Sequence, residues 1–512
     1  MKAAGDSPLK RLLVQTSHYS LASLLTTIAG LVSFPILTRT FSVADYGVMN
    51  LVSATLTASV AIGKFGIQHA IVRYRSEIAS GKSQYSQQQL VSTTLIGMLA
   101  SGVLTMLVVL LGAHFAPTSW LGDAQVRIVF QIVSILVLVQ VLESVFHNFL
   151  RADQQTSVLM RYQVLKKYLG LALILFAIFV IQKTLSAFYI ASVIGEAAAV
   201  VWLAWIMFRR VSSGPPKTKD FSPPLLRELL GFGIPMMIGY ELAGIILSVG
   251  DRYVVADMIG QEPLGLYGAA YNLCNYVQAT LIVSVSQAIM PIYMRIWDEK
   301  GAEATAAFIG RSMRTYVMLG VAVVAGLAAV GPELIPALSS ERYASAATVL
   351  PWVMGGMVVD GTNTLVGAGL FITRKTRVIM VIVMSSAIMN ILLNILLVPR
   401  YGINGSAVAT LLSYGMTSSA MGLAARSSLH VKMPWVTLLR ASVMSVVMYV
   451  AVIRILPGHH LLTVAVRAFV GAVVYVGLMA LVDPDARLLL RTGKDRVLRM
   501  LGRAPNSAPP SA

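Results

Sequence analysis

The sequence predicts an all-α polytopic membrane protein of fourteen transmembrane helices, organised as two lobes that repeat one another. Three observations carry this expectation. Hydrophobic residues make up 56% of the 512-residue chain and charged residues 12%, far from the balance of a soluble domain. The apolar residues fall into fourteen runs of about 20 residues, enough to cross a hydrocarbon core of roughly 30 Å. The basic residues segregate: 31 of the 40 Lys and Arg lie in the tails and alternate gaps, 7 in the other gaps and 2 inside runs.

The runs begin near Leu13, Tyr46, Gln89, Val126, Val158, Leu185, Leu229, Leu264, Phe308, Ala344, Val378, Asn404, Trp435 and Leu461. A missed or invented helix would invert every later gap, so the contrast supports the count and places both termini in the cytoplasm. The first run is too long for a secretory signal and no small-residue cleavage pattern follows it. After the sixth run, Ser212–Pro224 (SSGPPKTKDFSPP) is polar and Pro-rich and reads as a linker between lobes. The expected divisions are an N-terminal lobe over 1–220 with its linker at about 212–224, a second lobe over 221–427, two helices within 428–482, and a basic cytoplasmic tail over 483–512 with a disordered end.

The lobes resemble copies. In the first, Arg39 precedes Tyr46-Gly47 and Asn50-Leu51, and the second run ends with Gln68, Ala70-Ile71 and Arg75. In the second, Arg252 precedes Tyr267-Gly268 and Asn272-Leu273, and the eighth run ends with Gln287, Ala288-Ile289 and Arg295. Both copies run from cytoplasm to outside and back, so they are parallel repeats, a plan that puts a transport site between halves.

The net charge of +18 fits anionic lipids of the cytoplasmic leaflet. A nucleic-acid partner is not expected, because no gap is long enough for a soluble module. The single Cys274 excludes an intramolecular disulfide. There is no G-x-x-x-x-G-K-[ST] loop, HExxH or paired-Cys site, so neither an ATP motor, a metal site nor another cofactor is expected. No long outer loop is present of the kind a membrane glycosyltransferase or polymerase needs, and no catalytic residues are assigned.

Several runs carry polar faces at helical spacing: Thr16, Ser20, Ser23 and Thr27; Asn50, Ser53, Thr57 and Lys64; Glu241, Ser248 and Arg252; Tyr271, Asn275 and Gln278; Asp360, Thr364 and Gly367. Small-residue stripes also serve close helix packing. Amides and charges point instead to a wet cavity. Lys64 is nine residues from Arg73, roughly 13 Å deeper at 1.5 Å per residue, and is a candidate for holding a phosphate or another anion. Arg73 is placed to meet a lipid phosphate from the inner leaflet, and Arg73 and Arg75 to anchor the second helix in headgroups. The embedded acids Glu143, Glu196, Glu241 and Asp360 could pair with Lys64 or Arg467, or bind a coupling ion, with H⁺ and Na⁺ as candidates. Asp251-Arg252 reads as a local ion pair or a gate at the cavity mouth. His69 and His147 read as interfacial or packing residues.

Five segments carry a family resemblance: Phe34 to Leu51 (FPILTRTFSVADYGVMNL), Phe65 to Arg75 (FGIQHAIVRYR), Gly233 to Leu273, Ser286 to Arg295 (SQAIMPIYMR) and Asn390 to Tyr414. In this order they resemble the Wzx-like oligosaccharide flippases of polysaccharide export, within the larger group that includes MATE exporters and lipid II flippases. The resemblance implies two six-helix lobes around a central cavity, two further C-terminal helices, and alternating access for a polyprenyl-pyrophosphate-linked oligosaccharide moved from the inner to the outer leaflet of the cytoplasmic membrane. Partners would be that lipid, anionic membrane lipids and other polysaccharide-assembly proteins. Arg39, Arg73, Asp251, Arg252, Tyr267 and Gly268 occupy family-typical places; Lys64 does not, and stands on burial alone. The alternatives are a MATE-type drug or cation antiporter and a lipid II flippase.

Overall fold

A computed structural model of the chain describes residues 8–115, 124–210, 216–454 and 461–488. Part of the expected lobe linker, at 211–215, and the end of the basic tail, at 489–512, lie outside these residues. The longer helices, in order, are α1 (Pro8–Thr40), α2 (Val43–Gly63), α3 (Ile67–Ala79), α4 (Gln87–Phe115), α5 (Ala124–Ala152), α6 (Thr156–Phe176), α7 (Leu185–Arg210), α8 (Pro223–Met236), α9 (Ala243–Ile259), α10 (Gln261–Val277), α11 (Val283–Leu338), α12 (Leu350–Gly361), α13 (Thr376–Ala425), α14 (Trp435–Ile453) and α15 (Leu461–Val482). No strand occurs among the described residues, as the hydrocarbon requires of a chain that does not close into a barrel.

Among the described residues, ten helices are long and apolar enough to cross a membrane, or eleven when the bent pair Pro223–Gly239 and Ala243–Ile259, 48° apart, counts as one span. Two of the ten, Ile289–Leu338 and Thr376–Ala425, are 50 residues long, about 75 Å if straight and more than twice the hydrocarbon thickness. Each breaks at a glycine in a conformation closed to helix: Gly301 (φ 79°, ψ −169°) and Gly402 (φ 57°, ψ −140°).

The chain divides into two compact units, Met1–Ser284 with Lys375–Thr417, and Val285–Arg374 with Ser418–Ala512. In the first, a core of fully buried Met98, Val141, Phe149, Leu159, Tyr162, Leu203 and Leu229 joins α4, α5, α6, α7 and α8. The innermost span is α2, 61% buried where the other spans are 11–44%. Its start is set by a capping box: Ser42 Oγ accepts from Asp45 N–H at 3.0 Å, and Asp45 Oδ2 accepts from Ser42 N–H at 3.2 Å. The helix then packs on α10 backbone to backbone. A Cβ on Gly47 would overlap the Gln261 carbonyl, one on Gly265 the Val43 carbonyl, and one on Gly268 the Asn50 amide.

In the second unit, α14 and α15 form a pair whose inner faces (Ala441, Met448, Val452, Val464, Tyr475 and Met479) pack on Met318, Ala329 and Val330 of α11. Tyr475 OH donates to the Met318 carbonyl at 2.7 Å. The outer faces carry Trp435, Val446, Phe469 and Leu481, all well exposed, as suits side chains that meet acyl chains. Arg314–Asp485 (2.9 Å) and Arg440–Asp483 (3.4 Å) tie one end of the pair.

Gly265→Val should wedge α2 from α10 and cost about 1–3 kcal/mol as overpacking. Gly112→Val, where a Cβ meets nothing within 4 Å, is the matched control. Thermal denaturation in detergent should show a clear drop in midpoint for the first variant only; equal midpoints would contradict the packing.

Candidate functional site

The second hydrophobic run is not one helix. It breaks after Gly63, with Lys64 at the C-cap (φ −75°, ψ −18°), Phe65 and Gly66 at positive φ (47° and 72°), and α3 starting at Ile67. The left-handed Gly66 packs directly on Gly233 of α8, where a Cβ on either residue would strike the other's backbone. That contact needs two glycines. It brings the Lys64 break beside the seventh run, which leaves α-helical geometry over Met237–Leu242, a π-helical segment two residues after Pro235.

Glu241 lies in that π segment and meets the break. Lys64 Nζ is 3.2 Å from Glu241 Oε1, Gln68 Nε2 donates to Oε2 at 2.5 Å, and His69 Nε2 is 3.3 Å from Oε2. Both oxygens of one carboxylate are thus held by three side chains from a six-residue stretch. Lys64 and Glu241 are each 19% exposed, so the pair is largely desolvated yet reachable. Gln68 Oε1 is buried with no hydrogen-bond partner, an acceptor open to a donor. Ser53 and Thr57, on the Lys64 side of α2, are exposed on an otherwise mostly buried helix, and Thr57 Oγ1 donates to the Ser53 carbonyl at 2.8 Å.

A second charged cluster joins α5, α6 and α7. Lys166 Nζ lies 2.6 Å from Glu143 Oε2 and 3.3 Å from Glu196 Oε2. Tyr162 OH donates to Glu143 Oε1 at 2.9 Å, and Gln140 Nε2 to Glu196 Oε2 at 2.9 Å. The charge pattern assigns Lys166 to a cytoplasmic gap. The structure corrects this: Lys166 is the eleventh residue of the 21-residue α6, about 15 Å along the helix, drawn in by two carboxylates that would otherwise face each other. A lysine among apolar neighbours at a run's edge reads equally as gap or helix, which is why sequence reasoning missed it.

The remaining expected residues are placed as follows. Asp251 is fully buried, accepts from Tyr267 OH at 2.5 Å and Thr410 Oγ1 at 3.4 Å, and lies 3.5 Å from Arg252 NH1. Arg252 also donates to the Ser248 carbonyl at 2.8 Å and stacks 4.5 Å from the Tyr271 ring centroid. This is a closed network. Thr410 shares α13 with buried Asn390 and Asn394, where Asn394 Nδ2 donates to the Asn390 carbonyl at 2.8 Å; the i, i+4 asparagines in an apolar run were a signal left unused. Asn50 is buried, donating to the Tyr46 carbonyl at 2.8 Å, and Asn272 Nδ2 reaches Tyr46 OH at 2.9 Å, so the repeated motifs pack on each other. Asn275 and Gln278 are half-buried at the end of α10, where Gln278 opens another π segment, Gln278–Ile282. Arg39 is exposed at the end of α1.

Arg73 is exposed, pairs with Glu77 at 2.9 Å and lies 5.1 Å from the Phe232 ring. Arg75 departs from its expected role as a headgroup anchor. It is 9% exposed and grips both oxygens of Asp153, at 3.0 and 3.1 Å, because the start of α3 turns it inward. In the second unit, Asp360 accepts from Asn363 Nδ2 at 2.9 Å at a break between α12 and the short helix Asn363–Val366. Arg467 pairs with Glu333 at 2.5 Å rather than with any of the four embedded acids. Thr16 and Ser20 have side chains outside the described residues. No group of three His, Cys, Asp or Glu able to hold a metal occurs among the described residues.

Broken membrane helices meeting at paired charges make up a polytopic fold that solved structures share. The lipid II flippase MurJ in an inward closed conformation superposes with TM-score 0.75 at 14% identity, covering 90% of this chain and 98% of that one. An inward-facing MATE multidrug transporter gives 0.63 at 14% identity, covering 81% and 97%. The family model described as polysaccharide biosynthesis protein matches residues 12–297, more than half of the chain, and the chain belongs to that family. It is similar to an uncharacterised membrane protein of Methanocaldococcus jannaschii, 24% identical over 390 residues, 72% of this chain and 75% of that one. The "Probable low-salt glycan biosynthesis flippase Agl15" of Haloferax volcanii is 21% identical over 291 residues, 56% of this chain and 60% of its own length.

Removing Lys166 should take from two carboxylates, in a mostly buried site, the ammonium that touches both. Lys166→Met is therefore expected to cost about 3 kcal/mol, and adding Glu143→Gln and Glu196→Gln should recover most of it. Denaturant titration of the purified variants in detergent checks both; a triple variant no more stable than Lys166→Met would contradict the cluster's role.

Proposed function

We propose that the chain flips a polyprenyl-pyrophosphate-linked oligosaccharide from the inner to the outer leaflet of the cytoplasmic membrane, for assembly of a polysaccharide or glycan. Family membership and the name of the Haloferax relative support a lipid-linked glycan as cargo. The observation that carries the mechanism is the meeting of two broken helices at Lys64 and Glu241, a cation reachable inside a membrane protein. Lys64 holds the pyrophosphate and Arg73 meets it at the cytoplasmic side. Thr57, Asn275 and Gln278 face sugar hydroxyls. The breaks let half-helices tilt separately, so the site opens alternately to the two sides.

The chain crosses the membrane fourteen times, with both termini cytoplasmic and two six-helix lobes at 1–220 and 221–427. This reading takes the bent pair as one span, α10 with the part of α11 before Gly301 as another, α12 with the short helices that follow it as another, and splits Thr376–Ala425 at Gly402 into two. Coupling to H⁺ or Na⁺ falls to the acids. Glu143 and Glu196 share Lys166, with Lys167 also acting on Glu196, and this pair of carboxylates is where a proton or a cation would bind. Asp360 and the Asp251 network are the other coupling or gating groups.

Deleting the gene should leave the lipid-linked oligosaccharide accumulated on the inner leaflet; normal translocation with failed chain extension would sink the proposal. Lys64→Ala should slow flipping about 10-fold or more, the loss of a charge-assisted contact of roughly 1.5–3 kcal/mol, at normal expression. For topology, the buried Cys274 is a silent background. Glu341→Cys and Arg400→Cys should then label from outside with an impermeant maleimide, and Lys219→Cys only after permeabilisation.

A further inference from the structure

We propose that Glu241 is a specificity filter: a tethered carboxylate that keeps monoanionic phospholipid headgroups off Lys64 and yields only to a headgroup carrying two adjacent phosphates. The proposal rests on the reading of Lys64 as the anion site.

A bilayer offers a flippase far more phospholipid than cargo. An unoccupied ammonium in a lipid-accessible site would hold a phosphodiester most of the time, and the protein would scramble its own membrane. Glu241 answers this by occupying the site first. Its Oε1 is 3.2 Å from Lys64 Nζ, and its Oε2 takes Gln68 Nε2 and His69 Nε2 at 2.5 and 3.3 Å. An incoming phosphodiester, with one negative charge, would replace one monoanion by another and gain little Coulomb energy. It would also have to release three contacts to a group whose tether gives it a high effective concentration. A pyrophosphate diester carries two negative charges on linked phosphates. One can take Lys64, which now holds Oε1 of the carboxylate, while the other takes Gln68 and His69, which both now hold Oε2. Only this exchange adds charge to the site. The displaced Glu241 sits in a π-helical segment, a rare geometry that recurs at functional sites.

The test reconstitutes the full-length protein in proteoliposomes. Fluorescent phosphatidylglycerol reports monoanion exchange between leaflets, fluorescent phosphatidylcholine reports general leak, and binding of a short-chain polyprenyl pyrophosphate reports the site itself. The unsubstituted protein should move phosphatidylglycerol no faster than protein-free vesicles. Glu241→Gln should move it at least about tenfold faster without moving phosphatidylcholine, and adding Lys64→Ala should return it to background. Glu241→Asp, which retains the charge on a shorter arm, should leak to an intermediate degree and serves if Glu241→Gln folds poorly. The filter is overturned if Glu241→Gln binds polyprenyl pyrophosphate yet leaves phosphatidylglycerol at background, if it moves phosphatidylcholine equally fast, or if the unsubstituted protein already moves phosphatidylglycerol. Unchanged polyprenyl pyrophosphate binding in Lys64→Ala overturns the anion-site reading itself, and the filter with it.

Discussion

A backbone amide in hydrocarbon has no water to turn to, so a membrane helix can break only where other protein groups close the gap. That constraint organises the first compact unit of this chain. At the break after Gly63, Lys64 N–H reaches the Val60 carbonyl at 3.1 Å, Phe65 N–H the Ile62 carbonyl at 2.9 Å and Ile67 N–H the Lys64 carbonyl at 3.0 Å. The tight turn this requires puts Gly66 at φ 72°, and two bare glycines let Gly66 and Gly233 meet backbone to backbone. The same contact sets Lys64 against the π segment that carries Glu241. Backbone satisfaction, glycine placement and the position of the charged site are one structural decision.

Electrostatics imposes the second layer. Most embedded charges occur in pairs or clusters of opposite sign: Lys64 with Glu241, Lys166 with Glu143 and Glu196, Arg252 with Asp251 and, in the second unit, Arg467 with Glu333. A lone ion in the membrane is expensive and a paired one tolerable. The groups differ in what they can do. Asp251 and Arg252 are sealed by Tyr267, Tyr271 and Thr410, which suits a latch. Lys64 and Glu241 keep 19% of their surface, which suits exchange with a ligand. The Lys166 group gathers two carboxylates on one ammonium, which suits a titrating or cation-binding role.

Much of this was legible from residues alone. Composition marks a membrane protein, and the lengths of the apolar runs and the alternation of basic gaps outline its course, because hydropathy and the positive-inside bias are additive local properties. Glu143, Glu196, Glu241, Asp360 and Lys64 stand out singly, since an ionised residue inside an apolar run is conspicuous; Glu333, at the edge of its run, does not. The repeated Tyr-Gly pairs were visible too, though the meaning of Asn50 was not. Its amide lies on Gly268 and bonds within its own helix, so a polar stripe that reads as a cavity wall is partly a packing seam.

Partnership was decided by the tertiary structure. Lys64 and Glu241 are 177 residues apart and Gln68 and Glu241 173, and no local period says which acid a buried cation will find. Lys166 reads as a cytoplasmic residue until α5 and α7 bring two carboxylates to it, and Arg75 as a headgroup anchor until Asp153 turns it inward. Sequence by itself determined the solvent this protein folds in, since transfer free energies are summed residue by residue. Which charges neutralise one another, and which remain open to a ligand, depends on contacts between helices remote in the chain, and only the folded arrangement decides that.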